Sequence, residues 1–118
     1  MYTLSSHVLD TTLGKPVKGI TLTLTLPDGS TCKGETDNDG RFNQWGRSFE
    51  AGVYSLRFDC HDYLINTHGK SFYPYIDITF ELENQHEGAH HEGAQHEGAH
   101  YHVPLLISPF GFSSYRGS

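Results

Sequence analysis

The sequence predicts an all-β protein: six to eight short strands folded as a β-sandwich or small barrel, with one short helix. Two observations carry this. Residues 20–26 read Ile-Thr-Leu-Thr-Leu-Thr-Leu, a strict alternation that puts apolar side chains on one face of a strand and hydroxyls on the other. Gly-, Pro- and Asp-rich turns recur along the chain, and no strand–helix–strand rhythm accompanies them. At 118 residues the chain is expected to form one domain with a modest core.

The elements follow in order. Residues 3–10 (TLSSHVLD) read as a first strand, and Gly14-Lys15-Pro16 as a turn. The alternating strand over Ile20–Leu26 ends at the turn Pro27-Asp28-Gly29. Residues 31–36 form a short strand, and Asp37-Asn38-Asp39-Gly40 is a dense turn signal leading into Arg41-Phe42. Gly46 and Gly52 punctuate a loop. Val53–Phe58 is a strand with Tyr54, Leu56 and Phe58 on one face. Residues 60–68 break the alternation and space Tyr63, Leu64 and Thr67 as a helix does, with Gly69 as its stop. Phe72–Leu82 alternates in its later part, placing Ile76, Ile78, Phe80 and Leu82 together. Val103–Ile107 is an apolar run. Pro109 and Gly111 separate it from Phe112–Ser118, whose aromatic content predicts a packed terminal strand instead of a fraying tail.

Composition narrows the function. Lys plus Arg is 8 against 14 Asp plus Glu, for a net charge of −6, and the cations do not cluster. A nucleic-acid partner, which needs a concentrated positive footprint, is not expected. No apolar stretch is long enough to span a membrane. The opening residues show neither the basic nor the apolar region of a secretory leader, so the cytoplasm is the expected compartment. Cys32 and Cys60 are too few for a disulfide scaffold and are expected as free thiols.

Residues 86–100 read HEGAH-HEGAQ-HEGAH, a five-residue repeat. An odd period cannot keep one face of a strand, and three glycines weaken a helix, so the repeat is expected to be a solvated loop inserted before the penultimate strand. Its imidazoles and carboxylates also suit zinc, nickel or copper. The letters His-Glu-x-x-His occur at His86–His90 and His96–His100, but a metalloprotease needs them on a stable helix in a larger catalytic architecture.

His7 in the first strand, Arg41 after the Asp-rich turn, His102 before the apolar run, and Arg116 and Ser118 at the end of the chain are the residues that could make a hydrolytic site. Neutral imidazole is a general base near pH 7, and guanidinium holds anions and stabilises charge developing on oxygen. Spacing alone does not bring these residues together.

The motifs resemble those of the 5-hydroxyisourate hydrolase family, the transthyretin-related proteins. The resemblance is carried by Leu4-Ser5-Ser6-His7-Val8-Leu9-Asp10 with Gly14-Lys15-Pro16, by Thr36–Arg41, by Ser71-Phe72-Tyr73-Pro74, and most strongly by His102–Ser118 with its terminal Tyr115-Arg116-Gly117-Ser118. It covers nearly the whole chain outside 86–100, and it implies the peroxisome as the alternative compartment in a eukaryotic host. It implies a transthyretin-like β-sandwich of about eight strands with one short helix, assembled as a homotetramer, a dimer of dimers, with active sites in clefts between dimers. It implies that 5-hydroxyisourate is hydrolysed to 2-oxo-4-hydroxy-4-carboxy-5-ureidoimidazoline without a metal or other cofactor. His7, Arg41, His102 and Ser118 would be catalytic, and Tyr115, Arg116 and Gly117 would line the substrate cleft. The competing expectation is a non-catalytic transthyretin-like protein that binds a small molecule or, through the repeat, a metal.

Overall fold

The structure, a computed structural model, describes residues 1–83 and 99–117. Its first strand, β1 (Thr3–Asp10), buries Leu4, Ser6, Val8 and Asp10 and turns Thr3, Ser5, His7 and Leu9 to the other side. The chain then reverses through residues 11–14, where the Gly14 N–H donates to the Asp10 carbonyl at 2.7 Å. The turn thus lies earlier than the expected Gly14–Pro16 and shares only Gly14 with it. Lys15–Pro16 already forms a short strand, β2, pairing Pro16 with Leu9.

The Thr/Leu alternation becomes β3 (Thr21–Thr25), with Leu22 and Leu24 fully buried. β4 (Thr31–Glu35) and β5 (Arg41–Phe42) follow, then β6 (Gly52–Asp59) and helix α1 (His61–His68). The helix stops at Gly69, whose φ of 79° is left-handed and whose N–H donates to the Ile65 carbonyl at 2.8 Å. β7 (Ile76–Leu82) starts later than the sequence pattern suggests. Residues 72–75 form a loop held by the Phe72 N–H on the Pro109 carbonyl, and Pro74 offers no donor to a ladder. β8 (His100–Ser108) extends the apolar run at both ends, and β9 (Gly111–Ser114) returns along it.

Two sheets result. One has the order β2-β1-β8-β9, with β5 beside β2 on the free edge of β1. The other has the order β4-β3-β6-β7. All pairings are antiparallel except β1 with β8, which run parallel from Thr3 opposite His100 to Asp10 opposite Ile107. The inner faces meet in a core that includes Leu4, Val8, Leu22, Leu24, Leu56, Phe58, Leu105 and Ile107. Burying each such side chain stabilises the fold by about 1.5–3 kcal/mol.

At the end of β1, Asp10 is sealed in and fully partnered. Oδ1 accepts from the Thr12 and Leu13 N–H groups, and Oδ2 accepts from the Tyr63 hydroxyl at 2.6 Å and lies 2.7 Å from His68 Nε2. Burial alone would push this carboxyl up, but the bonds from Tyr63, His68 and Leu13 outweigh it and hold the group below its ordinary value. Burial and the same carboxylate push the Tyr63 phenol up to about 12. This cluster ties α1 to the first sheet. Cys32 and Cys60 are both free thiols, and burial pushes Cys60 up to about 11.

Candidate active site

The outer face of the first sheet collects the polar residues of three strands. In β1 every second side chain points outward, so Thr3, Ser5 and His7 line up. The parallel register sets Thr3 opposite His100, Ser5 opposite His102 and His7 opposite Pro104. On the other side of β1, antiparallel β5 sets Arg41 directly opposite His7. Side chains directly opposite on neighbouring strands share a face with Cβ atoms about 5 Å apart.

Arg41 is held there by the Asp-rich turn. Asp37 Oδ1 accepts from the N–H groups of Asp39 (2.9 Å) and Arg41 (3.0 Å), while the Asp37 N–H donates to the Arg41 carbonyl (2.9 Å). These bonds, with the Arg41 N–H foremost, hold the Asp37 carboxyl below its ordinary range. Gly40 is required: its φ is +73°, and a Cβ there would lie 2.6 Å from the Val8 carbonyl oxygen. That close approach lets the Val8 N–H donate to the Gly40 carbonyl at 2.8 Å, which fastens the turn to β1.

The His7 and His102 rings lie with centroids 6.4 Å apart and planes tilted by 34°. At that separation they make no direct hydrogen bond, and a single water can bridge them. Both are half-buried, and both pKa values are lowered. Burial is the leading cause for each, followed by the nearby Arg41 guanidinium; for His102, His7 and His100 add to it, whereas Asp37, Asp39 and the Asp39 carbonyl pull His7 the other way. The face therefore offers two neutral imidazoles and a guanidinium, a set able to activate water and stabilise an oxyanion.

The chain end reaches this face. Gly117 pairs with His102, and its N–H donates to the His102 carbonyl at 2.7 Å. That pairing keeps the register of β9, in which Ser114 lies opposite Leu105. The ladder lapses between them because Tyr115 stands opposite Pro104, which has no N–H; the Ser114 hydroxyl takes the Pro104 carbonyl instead, at 2.7 Å. Gly117 packs so closely that a Cβ would sit 2.5 Å from His102 Cδ2.

Arg116 points to the opposite face of the sheet from Gly117. Neighbours in an extended segment face opposite ways, so Arg116 turns to the other side of the sheet, where its guanidinium lies 4.0 Å over the buried Tyr101 ring. There it borders an apolar depression of about 250 Å³ that Ile78, Phe80 and Val103 also line. Tyr115 is exposed. Ser118 and the repeat up to Gly98 lie outside the described residues.

Three polar residues of this face were not singled out from sequence for the site: Thr3, Ser5 and His100. Thr3 Oγ1 lies 2.6 Å from His100 Nδ1, and Ser5 Oγ lies 2.9 Å from His100 Nε2 and 2.7 Å from His102 Nδ1. The signal that finds them is the two-residue period of β1 and β8. Among the described residues, no cluster of three or more His, Cys, Asp or Glu side chains is disposed to hold a metal ion.

A two-sheet sandwich with one short helix, carrying an open imidazole and guanidinium face, defines a transthyretin-like protein. The chain belongs to the HIUase/Transthyretin family, whose sequence pattern matches residues 4–117. It is 39% identical to the 5-hydroxyisourate hydrolase of Mesorhizobium japonicum over 98% of this chain and 91% of that one. Among solved structures, it is similar to 5-hydroxyisourate hydrolase from Klebsiella pneumoniae (TM-score 0.80, 30% identity, 100% of this chain and 94% of that one). It is also similar to transthyretin from Sparus aurata (TM-score 0.77, 27% identity, 99% and 97%).

Proposed function

We propose that the protein is a 5-hydroxyisourate hydrolase that opens its substrate to 2-oxo-4-hydroxy-4-carboxy-5-ureidoimidazoline, and so acts in urate breakdown. The observation that carries this reading is the convergence of His7, His102 and Arg41 on one open face, with both imidazoles biased to the neutral form. A transthyretin-like carrier has no need of that set. The relatives named as hydrolases support the same reading.

In the reaction, water attacks a ring carbonyl carbon and the adjacent C–N bond breaks. The carbonyl carbon stays on the molecule as a carboxylate, and the freed nitrogen takes a proton. One imidazole removes a proton from water, and the other takes the proton released as the new carboxyl group ionises and hands it to the departing nitrogen, a contribution of about 10²–10⁴ in rate for a positioned base. Arg41 holds the polar ring and stabilises the tetrahedral oxyanion, an effect of about 10²–10³ for one well-placed donor. Ser118 positions substrate or water next to Gly117, and the reaction needs no metal. Tyr115, Arg116 and Gly117 border the substrate cleft that a second subunit completes, and Arg116 also fastens the tail through the Tyr101 ring.

The active form is a homotetramer, a dimer of dimers, in which the open histidine face of one subunit is covered by another. Light scattering would show the assembly mass, and a monomer at micromolar concentration would refute this part of the reading. The activity is tested by following freshly generated 5-hydroxyisourate spectrophotometrically with the intact chain and with His102→Ala. The intact chain should accelerate its decay, and the variant should lose at least about 100-fold in kcat. Decay at the spontaneous rate with the intact chain would sink the assignment.

A further inference from the structure

We propose that Thr3, His100 and Ser5 form a hydrogen-bonded relay that sets the tautomer of His102 and carries its proton to solvent, making Ser5 and His100 positioning residues for the reaction. This rests on the catalytic reading of His102. The chain of contacts is continuous: Thr3 Oγ1 to His100 Nδ1 (2.6 Å), His100 Nε2 to Ser5 Oγ (2.9 Å), Ser5 Oγ to His102 Nδ1 (2.7 Å). Its inner end is the half-buried His102, and its outer end, His100 with Thr3, is exposed.

Donor and acceptor counting allows two arrangements of the neutral chain in which the Ser5 hydrogen bridges the two rings. In one, the Thr3 hydroxyl donates to His100 Nδ1, His100 Nε2–H donates to Ser5, and the Ser5 hydroxyl donates to His102 Nδ1. His102 then carries its hydrogen on Nε2. In the other, every bond is reversed: His102 Nδ1–H donates to Ser5, Ser5 donates to His100 Nε2, and His100 Nδ1–H donates to Thr3. His102 Nε2 is then a bare lone pair, which is the form a general base requires. A serine hydroxyl has one hydrogen and two lone pairs, so Ser5 cannot donate to both rings, and wherever its hydrogen stays within the chain the tautomers of the two histidines are locked together.

The same chain moves the proton after the base has acted. When His102 Nε2 takes a proton from water, Nδ1–H passes its hydrogen to Ser5, Ser5 passes its own to His100 Nε2, and the proton leaves from exposed His100. His102 ends neutral, and the net transfer is one proton from the attacking water to bulk solvent. Arg41, His7 and His100 are the charged or titratable groups around His102, and the first two discourage a lasting imidazolium there.

The test compares Ser5→Ala, Ser5→Thr, His100→Ala and His100→Gln, each first shown to unfold at the wild-type urea midpoint. Ser5→Ala and His100→Ala should each lower kcat about 10- to 100-fold with KM nearly unchanged, as losses of an orienting partner do. The double variant should cost no more than either alone. Ser5→Thr should restore the rate. His100→Gln keeps a hydrogen-bonding group beside Ser5 but cannot relay a proton, so it should behave as His100→Ala, and its proton inventory in mixed H₂O and D₂O should fall to a single-proton form. Nitrogen-15 NMR should show the tautomer populations of His100 and His102 changing together in wild type and independently in Ser5→Ala. Wild-type kcat in His100→Gln, an unchanged proton inventory, or independent tautomers in wild type would overturn the relay. Full activity of His102→Ala would instead overturn the catalytic reading, and the NMR coupling would still decide the hydrogen-bonded chain.

Discussion

Adding one methyl group at Gly117 tests the arrangement of the whole site. In Gly117→Ala the new Cβ would lie 2.5 Å from Cδ2, 3.1 Å from Cγ and 3.3 Å from Cβ of His102, where ordinary contacts begin at 3.4 Å. Either the imidazole yields by roughly 1 Å or the tail backs away and weakens the 2.7 Å bond from its N–H to the His102 carbonyl. Both routes misplace a catalytic group, and a 1 Å error in a reacting geometry costs about 100-fold, equivalent to about 2.7 kcal/mol of barrier. Stability should hardly change, because the residue lies at the chain end and makes one backbone bond. The assay is kcat/KM on freshly generated 5-hydroxyisourate, with the thermal midpoint measured alongside. A variant with wild-type stability and at least half of wild-type kcat/KM would refute the claimed contact between the tail and His102.

Three further outcomes follow from the same geometry. The His7 and His102 imidazoles are both held below the ordinary histidine value of 6.5, so if they carry the proposed reaction kcat/KM should be level at neutral pH and fall only as pH drops through a midpoint below 6.5; a midpoint at or above that value would contradict the site's electrostatics. Asp37→Ala removes the acceptor of the Asp39 and Arg41 N–H groups, so Arg41 should lose its fixed position and kcat/KM about tenfold, with Asp37→Asn intermediate. Asp10→Asn should destabilise the fold by about 2 kcal/mol at pH 7, by urea denaturation, because it weakens charge-assisted bonds. The folded Asp10 carboxyl sits below its ordinary value of 3.8, so its contribution is present above that pH and is lost as pH falls through the folded value. The difference between wild type and variant should therefore vanish in strong acid, and a constant difference would show that the carboxylate charge does not matter.

What could be read from sequence followed the reach of local pattern. β3, β6 and α1 stand close to where periodicity puts them, because each has a run long enough to show its period and a turn residue to end it. β2 and β5 have two residues each, too few to alternate, and they exist only because β1 offers a free edge. The parallel pairing of β1 with β8 has no local signature at all, so the meeting of His7 with His102 came from family resemblance and not from spacing. Arg116 shows the opposite case. Simple alternation from Gly117 turns it to the opposite face of the sheet from His102, so local pattern alone places its guanidinium over Tyr101.

The parallel pairing also bears on when the site comes into being. β3, β4, β6 and β7 join through connections between near neighbours, so that sheet can assemble as soon as residue 82 is available. β1 must wait for β8, since Ser5 and His102 are 97 positions apart. Closing so long a loop is entropically late. On a ribosome the histidine face would therefore be the last part of the domain to form. Substitutions in β3 and β6 should slow folding, whereas those at the β1–β8 seam should mainly hasten unfolding.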